Sequence, residues 1–301
     1  MEDPDSAACR SAAFEWLQSE LRSSDATLSR SSLEIGFPYN SEFVRLVGPQ
    51  GIFKPKQIAH YPLSITTTTK GPYQDSFDPS GDMLLYSYRG ADPNFHENRK
   101  LRDAYRDQIP LIYFFSTIPG IYLAIYPVFI VGDNPTQLTF EVAADDMLQL
   151  RYERDDTDDD TRRIYITRQV RQRMHQRSFR DRVLRAYEER CSICELRHTR
   201  LLDAAHIIPD KDEGGEPVVS NGLSLCKIHH AAYDSDFIGI RPDYQIVVRP
   251  DLLDEKDGPM LKHGIQEIND QQLNVPKRVK ERPDPERLRV RFNEFSENAH
   301  K

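Results

Sequence analysis

Features that would identify several common protein classes are scarce in this sequence. Only four cysteines occur in 301 residues. The longest apolar stretch, 109–131, is interrupted by prolines, a glycine and hydroxyl residues, which suits strands joined by a turn better than a membrane helix. The first ten residues are acidic and polar, whereas a secretory signal needs a basic start and an apolar run. We therefore expect a soluble cytoplasmic protein that contacts no membrane and has room for two domains.

Positive charge is also in the minority, since 40 basic residues face 48 acidic ones and the net charge is −8. This balance argues at first against a nucleic-acid partner, but net charge averages over faces that never meet a ligand. Between Thr161 and Arg200 there are twelve arginines and four acidic residues, whereas residues 151–160 carry six acidic residues and two arginines. The arginine-rich run fits either a phosphate-facing surface or a solvated face, and the acidic run fits a linker.

The pattern of apolar and polar residues along the chain predicts an α+β protein with two domains. Apolar residues recur at helical spacing over residues 7–24. Short apolar or alternating runs then follow up to about residue 150, with a helix inserted at 95–108, which indicates a β-rich domain. We place the boundaries at 1–32 for an N-terminal helix, 33–152 for the β-rich domain, 153–177 for an acidic then basic linker and helix, and 178–301 for a C-terminal domain.

Three of the four cysteines fall in one segment and form a metal-ligand pattern. Cys191 and Cys194 make a CxxC pair, and Cys226 and His229 make a CxxH pair. A two-residue spacer lets both members of a pair meet one tetrahedral ion. In a chain without a secretion signal, such clustering favours metal ligation over disulfides. We predict a structural Zn²⁺ site that helps this small module to fold, the alternative being unliganded buried cysteines.

Three short motifs accompany these two pairs: "AHIIP" with His206 and "NGL" with Asn221 lie between them, and "HAAYD" with His230 follows the second pair directly. In this order, and inside a zinc knuckle, the motifs resemble the HNH nuclease family, which has the ββα-metal fold; the resemblance covers about residues 191–240. It implies that His206 is the general base that activates water, that Asn221 is the asparagine that orients it, and that His230 is a ligand of the catalytic metal. A structural histidine, a plain turn residue and an exposed histidine are the respective alternatives.

The chemistry of these residue types agrees with the implied roles. A neutral imidazole can accept a proton near physiological pH. Mg²⁺ or another divalent ion can stabilise the scissile phosphate and the leaving 3′ oxygen. Adjacent helical residues point about 100° apart, so His229 would face the zinc and His230 the catalytic ion. Many family members carry a metal ligand where this chain has Ala205, so we predict Asp203, on the same side of the strand, as the second ligand; a surface acid or cap is the alternative.

The β-rich region also resembles a known group of domains. "YSYRGADPNFHENRKLRDAY" and "IPGIYLAIYPVFIVGDNP" are similar to the N-terminal SRA-like domains, of the PUA superfamily, in modification-dependent, type IV-like restriction endonucleases. Such domains flip a modified cytosine into a pocket, where it stacks on aromatic rings. The resemblance predicts a pocket near five residues, for which ordinary core or surface roles are the alternative: Tyr86, Tyr88, Arg89, Asp92 and Asn98.

Together these resemblances predict an endonuclease that binds double-stranded DNA containing 5-methyl- or 5-hydroxymethylcytosine and restricts modified foreign DNA. Because one active site nicks one strand, a double-strand cut implies a homodimer or two sequential nicks. One alternative is an HNH nuclease with ordinary sequence or structure specificity, including an RNA-directed one. The other is a non-catalytic, zinc-stabilised DNA-binding module.

Overall fold

The computed structural model describes residues 2–23, 27–67, 76–77, 83–145 and 159–298. The chain forms two compact units, Met1–Met174 and His175–Lys301. None of the helices in the described residues combines the length and the apolar character needed to cross a membrane.

The first unit is built on a large, mainly antiparallel sheet. Its helices are α1 (Pro4–Ser23), α2 (Arg30–Ile35) and α3 (His96–Arg106). Its described strands are β1 (Thr27–Ser29), β2 (Phe37–Tyr39), β3 (Glu42–Val44), β4 (Ile52–Phe53), β5 (Ser64–Thr66), β6 (Ser76–Phe77), β7 (Leu84–Ser87), β8 (Leu111–Ile118), β9 (Ile121–Asn134) and β10 (Thr139–Ala144). The sheet runs in the order β4-β5-β8-β9-β10-β7-β6, β1 pairs with β9, and β2 and β3 form a separate hairpin.

Strand β8 shows how the sheet separates two apolar cores. Side chains of a strand alternate between the two faces of its sheet. Leu111 and Tyr113 belong to an apolar cluster that includes residues of α3. Ile112 and Phe114 belong to a second cluster that includes residues of α1. The sheet is therefore buried on both faces, which explains why β8 and β9 are rich in β-branched and aromatic residues.

Several elements of the first unit were expected from the sequence. The helix predicted at 7–24 is confirmed by α1, and the helix predicted at 95–108 is confirmed by α3. Most of the predicted acidic linker lies outside the described residues, which resume at Asp159. There the long helix α4 (Asp159–Ala186) begins, and it contains most of the arginine-rich run.

The second unit contains shorter elements. Its strands are β11 (Leu202–His206), β12 (Gly222–Cys226), β13 (Ile238–Ile240) and β14 (Ile246–Val248). Its further helices are α5 (Lys227–Asp234), α6 (Pro250–Asp254), α7 (Pro259–Gly264) and α8 (Pro285–Asn298).

The first two strands and the helix after them position the residues of the C-terminal motifs. Strands β11 and β12 are antiparallel, and His206 pairs with Gly222 in their register. Helix α5 follows β12 without a loop, and Cys226 is its N-cap. The resulting strand–strand–helix order is the one that a ββα-metal module requires.

Candidate functional site

Three cysteine thiols and one imidazole form a compact group of metal-binding atoms. One ligand atom from each of Cys191, Cys194, Cys226 and His229 lies within 4.8 Å of the others. The Nδ1 atom of His229 is 3.5 Å from Sγ of Cys191 and 3.3 Å from Sγ of Cys226. Tetrahedral zinc with bonds of about 2.0–2.3 Å brings its ligand atoms to similar separations. These four residues could therefore hold a metal ion such as zinc.

Hydrogen bonds around this group orient its ligands. The Nε2 atom of His229 is 2.8 Å from the carbonyl oxygen of Gly264, the last residue of α7. Because a carbonyl oxygen only accepts, Nε2 carries the hydrogen and Nδ1 keeps its lone pair for a metal. The backbone N–H of Cys226 donates to Sγ of Cys191 at 3.3 Å. The imidazole thus has the tautomer that metal ligation by Nδ1 requires.

The next residue, His230, lies in a different environment. His229 is buried, whereas 26% of the His230 side chain is exposed. The Nδ1 atom of His230 is 3.4 Å from Oδ2 of Asp203, and its Nε2 atom is 3.2 Å from Oδ2 of Asp234. The two neighbouring imidazoles therefore meet different partners, as expected for adjacent positions of a helix.

A cavity of about 670 Å³ brings together residues from β11, α5 and α8. His206, His230 and Asp234 are among its lining residues. Its acidic lining residues outnumber its lysine and arginine residues, which favours a cation over a free anion. The charged residues of the lining are Asp210, Lys211, Asp234, Asp236, Arg291, Glu294 and Glu297.

Helix α8 also braces the end of α5 beside this cavity. Arg291 donates a hydrogen bond from Nη2 to the carbonyl oxygen of Tyr233 at 2.8 Å. Its Nη1 atom lies 2.6 Å from a carboxylate oxygen of Asp236. Because Tyr233 precedes Asp234 directly, these bonds fix the backbone that carries Asp234.

His206 ends β11 and is half-buried at the cavity. Its ring stacks on Phe179 with ring centres 4.0 Å apart and an interplanar angle of 17°. Its Nε2 atom is buried and has no hydrogen-bond partner in the described part of the chain. Burial lowers the pKa of His206 below its ordinary value, a nearby Asp210 opposes this change, and His230 adds to it. The imidazole is therefore neutral at physiological pH and able to accept a proton.

Asn221 is fully buried and braces the loop that follows His206. Its Oδ1 atom accepts the backbone N–H of Ile208 at 2.9 Å, and its Nδ2 atom donates to the carbonyl of Ile208 at 3.0 Å. Nδ2 also lies 3.2 Å from the carbonyl oxygen of Glu216. In addition, the backbone N–H of Ile207 donates to the carbonyl of Asn221 at 3.0 Å. Asn221 thus fixes the backbone next to the proposed base.

Asp203 lies beside His230 in an ion-paired cluster. Its Oδ2 atom is 2.5 Å from Nζ of Lys227, and its Oδ1 atom is 4.0 Å from Nε of Arg180. Burial opposes ionisation, but Lys227 and His230 hold the pKa of Asp203 below its ordinary value. The carboxylate that faces Nε2 of His230 is instead that of Asp234. Asp234 is not among the residues predicted from the sequence, although its position four residues after His230 places both side chains on one face of α5.

The predicted base-pocket residues occupy interior and loop-bracing positions in the first unit. Tyr86 and Tyr88 are buried, and Tyr88 stacks on Phe140 with ring centres 4.5 Å apart. The hydroxyl of Tyr88 donates to Asp133 and accepts from Arg102 at 3.1 Å. These contacts explain the positions of both tyrosines by core packing, so their role in a pocket stays a prediction.

The polar members of that predicted pocket hold one turn together. Asn98 is fully buried and accepts the backbone N–H of Arg89 at 2.9 Å. Its amide donates to the carbonyl oxygens of Arg89 and Asp92, at 3.1 and 2.9 Å. Arg89 pairs with Glu97, while Asp92 is exposed. Of these three residues, Asp92 is the one whose side chain faces solvent most fully.

The comparisons with known proteins agree with the site in the second unit. Residues 191–241 match the model of the HNH endonuclease family. This segment is an HNH endonuclease domain. It contains the four candidate zinc ligands together with Asp203, His206, Asn221 and His230.

Comparisons that cover more of the chain are weaker. A modification-dependent restriction endonuclease, TagI, is similar at 15% identity and a TM-score of 0.29, over 78% of this chain and 82% of that one. The type IV phosphorothioation-dependent restriction endonuclease ScoMcrA is similar at 14% identity and a TM-score of 0.21, over 79% of this chain and 57% of that one. A search of curated proteins gives no match.

Proposed function

We propose that the protein is a divalent-metal-dependent DNA endonuclease that hydrolyses phosphodiester bonds. The observation that carries this proposal is the cavity that His206, His230 and Asp234 share inside a segment matching the HNH endonuclease family. A half-buried, neutral imidazole and an imidazole–carboxylate pair at one cavity would supply a proton acceptor and a set of metal ligands.

His206 acts as the general base in this proposal. A water molecule between His206 and the scissile phosphate gives its proton to the imidazole while its oxygen attacks phosphorus. The bond from phosphorus to the 3′ oxygen breaks, this oxygen takes up a proton from solvent, and the products are a 5′-phosphate and a 3′-hydroxyl. Asn221 keeps His206 in place by holding the backbone of Ile207 and Ile208.

His230 and Asp234 would hold the divalent ion, Mg²⁺ or another. Their imidazole Nε2 and carboxylate oxygen lie 3.2 Å apart at the cavity, and both are common ligands of catalytic divalent ions. The bound ion would stabilise the charge on the phosphate and on the leaving oxygen. Asp203 stays a predicted ligand, but its position on the Nδ1 side of His230 favours a role in orienting that imidazole. Zn²⁺ in the four-ligand cluster would be structural.

We further propose that the first unit selects double-stranded DNA with modified cytosine, which the protein cuts as a homodimer in the cytoplasm to restrict foreign DNA. The similarity of residues 35–150 to SRA-like domains supports this choice of substrate. A nuclease domain as small as residues 191–241 offers little surface for sequence readout, so selection by the first unit is the simpler arrangement.

A digestion panel tests the proposal. Matched duplexes with cytosine, 5-methylcytosine, 5-hydroxymethylcytosine or glucosylated cytosine are incubated with Mg²⁺, with EDTA, and with Mg²⁺ restored after EDTA. Cleavage of a modified duplex that depends on Mg²⁺ is the expected result. Equal cleavage of all duplexes would favour ordinary specificity, and binding without cleavage would favour a non-catalytic DNA-binding module. A single-stranded RNA in the same panel tests the RNA-directed alternative.

A further inference from the structure

Helix α4 places an aromatic ring against the proposed base from outside the HNH endonuclease segment. Phe179 precedes that segment by twelve positions and is almost fully buried. Its ring lies nearly parallel to the imidazole of His206, with 4.0 Å between ring centres. The family match at 191–241 therefore omits the residue that makes this contact with the imidazole.

Helix α4 packs closely against the hairpin of β11 and β12 at the position of Phe179. Phe179 and Val183 of α4 form one buried cluster with Tyr187, which follows the helix directly. A Cβ atom added to Gly222, which pairs with His206 across the hairpin, would lie 2.9 Å from Phe179 and 2.5 Å from Val183. Gly222 thus leaves the space that the aromatic ring and its neighbour occupy.

Backbone contacts hold the helix in this position. Arg180 donates hydrogen bonds to the carbonyl oxygens of Thr199 and Leu202, at 2.8 and 2.9 Å. Tyr187 donates from its hydroxyl to the carbonyl oxygen of Gly222 at 3.2 Å. Arg180, which follows Phe179 directly, and Tyr187, which follows the last residue of α4, thus tie the C-terminal part of this helix to the hairpin and the turn before it. The ring therefore has little freedom to leave the imidazole.

We propose that Phe179 is a positioning residue that holds the imidazole plane of His206 in the orientation required for proton transfer. The χ2 torsion of histidine has broad minima, so the ring can rotate unless neighbours prevent it. Rotation by tens of degrees would drive its edge into a parallel ring 4.0 Å away. Since small misplacements of reacting groups can cost about 100-fold in rate, this restraint bears on turnover. The inference rests on the proposed nuclease function.

The test compares three variants of the full chain. Phe179→Leu and Phe179→Met remove the flat ring but keep apolar volume, while Val183→Ala disturbs the same cluster without touching the stack. We expect both Phe179 variants to lower kcat about 10- to 100-fold with KM within about twofold of wild type, and Val183→Ala to keep kcat within about threefold. Wild-type kcat in a folded Phe179 variant, or an equal loss in Val183→Ala, would overturn the proposal.

A second readout separates this proposal from the proposed function. In NMR spectra of the whole protein, the ring protons of His206, assigned with His206→Ala, should shift upfield because of the Phe179 ring. They should move toward ordinary positions in Phe179→Leu. Unchanged shifts would overturn the stacking restraint, even if the wild-type protein cut no DNA. Absence of cleavage by the wild type, with the expected shifts present, would count against the nuclease function alone.

Discussion

The residues singled out from the sequence gather into sites in the second unit but pack into the interior in the first. In the second unit, Cys191 and His229 lie in one four-ligand cluster, and His206 and His230 line one cavity. In the first unit, Tyr88 stacks in the core and Asn98 bonds to the backbone of a turn. The difference lies in the kind of sequence pattern used for each unit.

A ligand pattern specifies more than an alternation pattern does. The CxxC pair and the CxxH pair must satisfy tetrahedral geometry around one ion, so their spacing predicts which atoms meet. Alternation of aromatic and polar residues only predicts that one face of a strand is buried. Tyr86 and Tyr88 satisfy that second pattern through the core alone. Experiments on both units can therefore test this difference.

The largest expected effect concerns the two neighbouring histidines. His229→Ala should lose zinc and unfold the second unit, because structural zinc contributes about 10–16 kcal/mol of binding energy in small modules. His230→Ala should keep its zinc and its melting temperature but lose cleavage. Metal analysis and thermal melting of both purified variants provide the measurement. Equal zinc contents would show that the division of roles is wrong.

Replacement of the proposed base should have the next largest effect. His206→Ala should lower kcat about 10²- to 10⁴-fold, the usual contribution of general acid–base catalysis. Folding and DNA binding should stay close to wild type, since the change removes a proton acceptor and no phosphate contact. His198→Ala is the matched control, because His198 is exposed in the same domain. Near-wild-type turnover of His206→Ala would refute the role of this residue.

These two tests concern residues that sequence motifs could identify, whereas other contacts depend on packing. Asp234 could have been found from its four-residue spacing after His230. Phe179 could not, because it lies 27 positions before His206 in an arginine-rich run, and only the packing of α4 on the hairpin brings the rings together. Likewise, the packing of α5 on β11 places Asp203 next to Nδ1 of His230, and the sequence alone does not predict this.

In the first unit, Tyr88→Phe separates a core role from a pocket role. The substitution removes the hydroxyl that bonds to Asp133 and Arg102 but keeps the ring that stacks on Phe140. We expect a loss of about 1–3 kcal/mol in the free energy of unfolding, because buried partners lose a hydrogen bond. Denaturant unfolding measures it. Tyr165→Phe serves as the control, since Tyr165 is 63% exposed and its substitution should be neutral.

A smaller effect is expected for selective binding by the first unit, measured as the difference in affinity between modified and unmodified duplexes. The full chain carrying His206→Ala should bind a duplex with its preferred modified cytosine about tenfold tighter than the unmodified duplex, since filling a pocket contributes about 1–3 kcal/mol. Both affinities should fall as salt rises. Among the predicted pocket residues, Asp92 is exposed, so Asp92→Ala tests the pocket with the least disturbance of packing. Equal affinity for all duplexes would remove the modified-base hypothesis and favour ordinary specificity.

The smallest expected effect is the response of cleavage to mild acid. Burial lowers the pKa of His206 below the ordinary 6.5, although Asp210 opposes this change. The neutral form is the active one, so kcat/KM should be constant at neutral pH and fall as pH drops through a value below 6.5. At pH 6.5 more than half of the imidazole is then neutral, and kcat/KM should be reduced less than about twofold from its value at pH 8. Thermal melting at each pH controls for unfolding. An acid limb centred above pH 6.5 would contradict a base with a lowered pKa.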